Sequence, residues 1–428
     1  MFQIKKKMEA KAQKYLTEAN RLLTEGLKNE KIQEFELTCM ILSSTIKDGE
    51  EQATTLRSQI KNVLWKSKPN DIATFLKELN ILYEKEQKQS TFYFVATSNL
   101  DIKSVTQQEF ELNGVKIRLI SAGDAEKEFQ ITSLFNEWQV FAELEQRKFL
   151  HYSYVFMDVL ASNPRDAHQV GLETFELFRG IINFANDYQT ISKTFYGGIP
   201  EPRTLSVMEP ARVQMIFDEK KTHLFDWFTI GFFDYSSKSF ATKRMNFLLD
   251  LLKTINSLEK TPLRDRCITA FTKYNNGMDG NVAGTSFLEF WKILELVAIA
   301  DLEEQGMAEY KVAHRIAWLF KEAYVRDLIM YLCDRRNFIT HKGHLPDIDD
   351  DELITIKRFA EEAIMFLLRH VNLFKDNATL SCYFDMLSKN ETELDRLELA
   401  IREANKYLGF KQEEKPKTEQ KTTTQQPT

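Results

Sequence analysis

The stretch CDRRNFITHKGHL, residues 333–345, gathers two arginines, an asparagine and two histidines into thirteen positions. Arg336 precedes His341 with four residues between them, and Arg335 with five. Histidine, with an unperturbed pKa of about 6.5, moves protons near neutral pH. Arginine stays charged and grips two phosphate oxygens at once. Proton transfer beside a fixed cation is what phosphodiester chemistry needs, and a positioned acid or base is worth roughly 10²–10⁴-fold in rate. Asn337, directly after Arg336, can orient the histidine or contact a backbone. His344 adds an H-x-x-H spacing with His341, but two histidines without a third ligand make a poor metal site, so neither metal nor cofactor is expected. A plainer reading stands beside this one: Arg335 and Arg336 complement the negative end of a helix, with His341 a polar residue in the following turn.

The rest of the chain decides how such a motif would be held. At 428 residues it is long enough for two or three domains, and 43% hydrophobic residues with 32 phenylalanines can fill substantial cores. No apolar run approaches the roughly 18 residues that span a bilayer, and the amino terminus has no apolar stretch of a secretory signal, so a cytoplasmic protein without a membrane partner is expected. The four cysteines, Cys39, Cys267, Cys333 and Cys382, lie far apart with no C-x-x-C pair and read as idle thiols in a reducing compartment. A net charge of −6 argues against a broad nucleic-acid-coating surface but leaves room for a local cationic pocket.

Residues 1–90 read as a helical region whose sparse apolar residues suggest helices packed pairwise. Residues 91–235 read as a mixed α/β domain. Within it FELNGVKIRL alternates strictly on both sides of Asn113-Gly114, the pattern of a hairpin with a type I′ turn. VQMIF and HLFDWFTIGFF suggest a second hairpin. Asn163 and Pro164 open a helix as N-cap and first residue, with Val170, Phe175, Phe178, Ile181, Ile182 and Phe184 on one side. His168, early in that helix, reads as a surface or satisfied side chain. Residues 237–375 are helical throughout, 376–410 continue as C-terminal helices, and 411–428, without an apolar residue, read as a disordered tail. The fold class is therefore mainly α with a mixed α/β middle region.

Three segments frame the motif. TSFLEFWKILELVAIA (285–300) is apolar almost all round, as a buried helix is, except for Glu289, Lys292 and Glu295 on one narrow strip. That strip is either a surface ion-pair row or the wall of a cleft, where Glu295 would pair with Arg335 or Arg336. A second helix runs from about 309 into the motif. A third, DIDDDELITIKRFAEEAIMFLLRHV, starts with aspartates suited to capping.

The order PLRDRCITAFTKYNNGM, SFLEFWKILELV, YLCDRRNFITHKG resembles a HEPN domain, and more closely the ApeA-like HEPN branch of bacterial defence proteins. The resemblance covers about 237–375, and NPRDAHQVGLETFELF upstream resembles more loosely what precedes such domains. The family mark, R-x4–6-H with a polar residue after the arginine, falls on Arg336, Asn337 and His341. The resemblance implies a C-terminal all-α HEPN-type helical bundle. It also implies a metal-independent endoribonuclease, a toxin or anti-phage effector with RNA as substrate, two protomers sharing one cleft, and a phage-derived trigger or an inhibitory partner. On this reading His341 transfers protons, Arg336 binds phosphate, Asn337 orients, and Arg335 and Glu295 support. A homodimer would also supply the second proton-transfer group that one motif lacks. The alternative is a non-catalytic HEPN scaffold that dimerises and binds nucleotides or a partner. The acids of PDIDDDE (346–352) weigh towards it, since they repel a phosphate chain unless turned away, and bases and acids are equal in number over 237–375.

Overall fold

The structure, a computed structural model, describes residues 3–5, 8–25, 30–46, 53–86, 89–131, 153–190, 205–228, 237–258, 260–280, 282–299, 309–320, 322–342, 348–374 and 376–407. The expected tail at 411–428 and His344 lie outside these residues. The chain divides into two compact units, Met1–Phe175 with Pro210–Gly231 and Ser237–Ser239, and Glu176–Glu209 with Phe232–Ser236 and Phe240–Thr428. Most of it is helical, with one antiparallel sheet in the middle. Among the described residues no helix is long and apolar enough to cross a membrane.

The first unit opens with helices α1 (Glu9–Glu25), α2 (Glu30–Ser44), α3 (Ala53–Ser67) and α4 (Ile72–Glu86). In α1 the buried residues Ala12, Leu16, Ala19 and Leu22 recur at helical spacing. They meet Phe35, Cys39 and Leu42 of α2, Leu56, Ile60 and Leu64 of α3, and Phe75 and Leu79 of α4 in one cluster. The expected pairwise packing is therefore corrected to a shared four-helix core. Alanines at 12 and 19 let the backbones approach, so a modest set of large side chains fills the interior.

The sheet has the order β2-β3-β4-β1-β5-β6, with β1 Ser90–Ser98, β2 Glu109–Leu112, β3 Val115–Ser121, β4 Ser153–Ala161, β5 Val213–Phe217 and β6 His223–Phe228. Asn113 and Gly114, at φ 55° and 81°, make the tight turn that puts Leu112 opposite Val115. The second hairpin pairs β5 with β6 through Asp218–Thr222. A short helix α5 (Ala122–Phe129) follows β3, and α6 (Pro164–Asp187) follows β4. Asn163 Oδ1 accepts from the Arg165 and Asp166 amides at 3.0 Å each, as an N-cap should. A Cβ at Gly171 would come within 2.4 Å of the Phe94 ring, so only glycine lets α6 lie this close to β1. Phe175, Phe178, Ile181, Ile182 and Phe184 are buried, whereas Val170 is exposed. His168 is satisfied by Gln214 at 2.8 Å.

The second unit takes the later turns of α6 and adds α7 (Met245–Ser257), α8 (Pro262–Asp279), α9 (Ala283–Ala298), α10 (Glu309–Ala317), α11 (Ala323–Lys342), α12 (Asp350–His370), α13 (Asn377–Leu387) and α14 (Glu391–Tyr407). Helix α9 is its axis, packed by α8, α10, α11 and α12. Phe287, Phe290, Trp291, Ile293, Leu294 and Val297 are all buried. The segment read as one helix from 309 into the motif is two, α10 and α11. The chain breaks between them, and Phe320 packs edge-on against Phe359 of α12, ring centroids 5.1 Å apart.

Candidate functional site

Helix α11 carries the motif inside its last two turns, so the reading that leaves His341 in a turn is corrected: position 341 is helical. Val325, Ile329, Leu332 and Ile339 are buried along one stripe. Arg336 falls on that same stripe, between Leu332 and Ile339, with the alternating spacing of four and three that points inward. Its guanidinium is therefore aimed at α9, where Nη2 donates to Glu295 Oε1 at 3.0 Å. The same oxygen accepts from the buried Trp291 indole at 2.9 Å. A core side chain thus holds the glutamate, and the glutamate holds the arginine.

Asn337 accepts from Arg336 Nη1 through Oδ1 at 3.3 Å. His341 follows it by four residues, one turn along the same helix; the His341 side chain lies outside the described set. On the other flank Arg335 Nε lies 2.7 Å from Glu352 Oε1, with Nη2 donating to Oε2 at 3.2 Å. Glu352 is buried, accepts from the Tyr331 hydroxyl, and closes a capping box with Asp349 at the start of α12. The acidic run after the motif is thereby split. Glu352 is turned inward as a structural carboxylate, Asp349 caps, and residues 346–347 lie outside the described residues.

Two tyrosines escaped the sequence reading. The Tyr310 hydroxyl donates to Asp334 at 2.8 Å, and that bond pushes its pKa above the usual tyrosine range, with Asn337 hydrogen-bonded to it and acting in the opposite direction. Tyr331 is raised likewise by its bond to Glu352. Both keep their protons and can act as donors, not as bases. No sequence signal marks Tyr310, because it belongs to a different helix and meets the motif only through the fold.

The polar strip of α9 divides along its length. Glu289 is ion-paired with Lys292 one turn on and with Lys273 at 3.7 Å, and these lysines hold its pKa below the usual carboxylate range against the opposing effect of burial. Glu295 instead serves Arg336. A groove of about 520 Å³ runs beside it, lined among others by Arg266, Lys273, Lys292, Glu295, Leu296 and Asn377. Arg266 is committed to structure there, since Nη1 donates to the carbonyls of Leu296 and Ile299 at 2.6 Å each, at the C-terminal end of α9.

The sequence reading also missed a buried polar network. Lys357 of α12 donates to Glu361 Oε1, to the Asp187 carbonyl at 3.1 Å, and pairs with Asp187 Oδ2 at 2.8 Å. The Tyr274 hydroxyl and the Gln189 amide add bonds to Glu361 at 2.8 and 2.9 Å. Its signal was visible: Lys357 and Glu361 stand four apart on the face that carries Leu353, Ile356, Ala360 and Ile364.

Cys39, Cys267 and Cys333 are buried thiols outside any disulfide, and burial pushes the first two up to about 12. Among the described residues no group of three or more histidine, cysteine, aspartate or glutamate side chains is arranged to hold a metal ion. No protein-family model, curated protein or solved structure matches this chain.

Proposed function

We propose that the chain is a metal-independent endoribonuclease of the HEPN type, acting in the cytoplasm as a toxin or defence effector, with the HEPN bundle formed by the helices of residues 237–375. One observation carries the reading. Arg336 occupies an inward position of α11 and is held by a core-anchored glutamate, with Asn337 beside it and His341 one turn further along the same helix. A structural ion pair needs no such following asparagine and histidine. A phosphodiester site does.

In this chemistry the 2′-hydroxyl loses a proton and attacks the adjacent phosphorus. The P–O5′ bond breaks, a proton reaches the departing 5′-oxygen, and a 2′,3′-cyclic phosphate and a 5′-hydroxyl remain. His341 serves proton transfer. Arg336 binds the phosphate, and its guanidinium meets the charge that builds on the non-bridging oxygens. Two protons move on opposite sides of the phosphorus, so a second copy of the motif from another protomer completes the site.

A second reading, the non-catalytic scaffold that dimerises and binds nucleotides or a partner, draws on a different observation: both motif arginines already pair with carboxylates, Arg336 with Glu295 and Arg335 with Glu352. Incubating the full chain and its His341→Ala variant with total RNA in EDTA separates the two. Fragments with cyclic phosphate ends from the parent alone support the nuclease. Intact RNA with both, across neutral pH and with the dimer verified, hands the site to the scaffold reading.

A further inference from the structure

Asn337, the middle residue of the motif, is held from both ends of its amide. Its Oδ1 accepts from Arg336 Nη1 at 3.3 Å, and its Nδ2 donates to the hydroxyl of Tyr310, which reaches across from α10. The Tyr310 hydroxyl sends its own proton to Asp334 Oδ1 at 2.8 Å. Arg336, Asn337, Tyr310 and Asp334 thus form one directed chain in which each donates to the next. It runs from a cation to an anion, and hydrogen bonds aligned in this way polarise one another. Asp334 sets the direction, because a carboxylate only accepts: with the tyrosine proton turned to it, the Oη lone pairs face the asparagine amide. The other contact of Nδ2, the Cys333 sulfur at 4.0 Å, is a weak acceptor. On α11 Asp334, Asn337 and His341 follow at intervals of three and four, so these positions share one face of the helix.

The fold has little need of this contact. Tyr310 is 46% exposed, and α10 is anchored by Val312, Ala313 and Ile316, all buried. Changing an exposed polar group of this kind moves stability little. What the contact does fix is the plane of an amide. The last torsion of an asparagine side chain is broad, and a half-turn exchanges its carbonyl and NH2 ends. We infer that Tyr310 is a positioning residue for the motif, with Asp334 as its anchor. Together they lock the Asn337 amide, carbonyl towards Arg336, so that it presents one fixed face to the phosphate site of Arg336 and His341. The inference rests on the nuclease reading and adds to that site a residue from a second helix. Tyr310 gives its proton to Asp334 and touches no reacting atom, so its effect on the chemistry passes through Asn337.

Steady-state cleavage of RNA by variants of the full chain separates positioning from a merely structural role. Tyr310→Phe removes one oxygen and keeps the ring. It is expected to lower kcat about tenfold, with KM within about twofold of the parent and the thermal midpoint unchanged. Asp334→Ala is expected to lower kcat as well, and Asp334→Asn, which keeps an acceptor for the hydroxyl, to restore most of it. In an Asn337→Ala background, whose kcat is itself lowered, Tyr310→Phe is expected to add no further loss, since the group it acts through is gone. A parental kcat in Tyr310→Phe, or a loss that adds in full to that of Asn337→Ala, overturns the inference and leaves the nuclease reading standing. A parent chain that leaves RNA intact overturns both.

Discussion

Lys357 and Arg336 are both cations set among the helices of the second unit and held by a glutamate, yet their surroundings differ. Lys357 is 1% exposed and its three ammonium donors face three acceptors, Glu361 Oε1, the Asp187 carbonyl and Asp187 Oδ2. Arg336 is 18% exposed, its main carboxylate partner 25%, and its planar fork lies at the edge of the bundle where α11 ends. The first cluster has been taken out of water completely and its ammonium spends every donor on the fold. The second is less deeply buried, with Glu295 and Trp291 holding one side of the fork. A cation that serves recognition has to stay within reach of solvent, because a charge sealed in the core cannot meet a ligand.

That contrast predicts opposite outcomes for two truncations. Lys357→Ala leaves Glu361 and Asp187 buried without their cation, a change of the kind that costs about 3–5 kcal/mol. Arg336→Ala removes a partner from a carboxylate that water can reach and that Trp291 still holds, and is expected to cost no more than about 1 kcal/mol. Urea unfolding of both variants followed by helix content measures the difference. For cleavage per folded molecule the order reverses, with Arg336→Ala abolishing it and Lys357→Ala leaving it near the parent. A strongly destabilised Arg336→Ala would make that arginine a structural residue of the same kind as Lys357.

How far these two clusters were legible in the sequence differs for a physical reason. Arg336, Asn337 and His341 stand within six residues, so local spacing exposes them, and Glu295 stood out as one of three polar positions, with Glu289 and Lys292, on an otherwise apolar helix. The Asn113-Gly114 hairpin and the Asn163 cap were equally local and were readable. The Lys357 network joins α6, α8 and α12, and a charged pair on an apolar face reads first as a surface pair, since only the fold shows that Asp187 and Tyr274 close over it. The shared core of the first four helices was hidden likewise, because alanines at 12 and 19 look like sparse packing until the helices are brought together. Tyr310 had no local signal at all.

The buried network should also respond to pH in its own direction. Burial raises the pKa values of Glu361 and Asp187, against the pull of Lys357 on each. Their folded values lie above their unfolded ones, so the folded chain binds protons more readily. The resulting stability is full below the ordinary carboxylate range and is lost as pH rises through the folded values. Thermal unfolding of the second unit is therefore expected to move to lower temperature from this source as pH climbs out of the acid range. Glu361→Gln, which keeps an acceptor for Tyr274 but cannot titrate, should flatten that dependence. A slope unchanged in Glu361→Gln would show that this carboxyl does not govern it.

The smallest change is the one that bears most directly on the site. Glu295→Gln keeps a carbonyl oxygen for the Trp291 indole and for Arg336 Nη2 and removes only the charge. Stability should move by less than about 1 kcal/mol, as for other partly exposed ion pairs. If Glu295 is a positioning residue, its glutamine variant aims the guanidinium nearly as before and lowers kcat a few-fold, whereas Glu295→Ala frees the fork and lowers it further with KM little changed. Misplacing a group whose worth lies in its aim costs rate even when binding survives. An increase in cleavage on going to glutamine would mean the opposite: the carboxylate competes with phosphate for Arg336, and the pair that orients the site also restrains it.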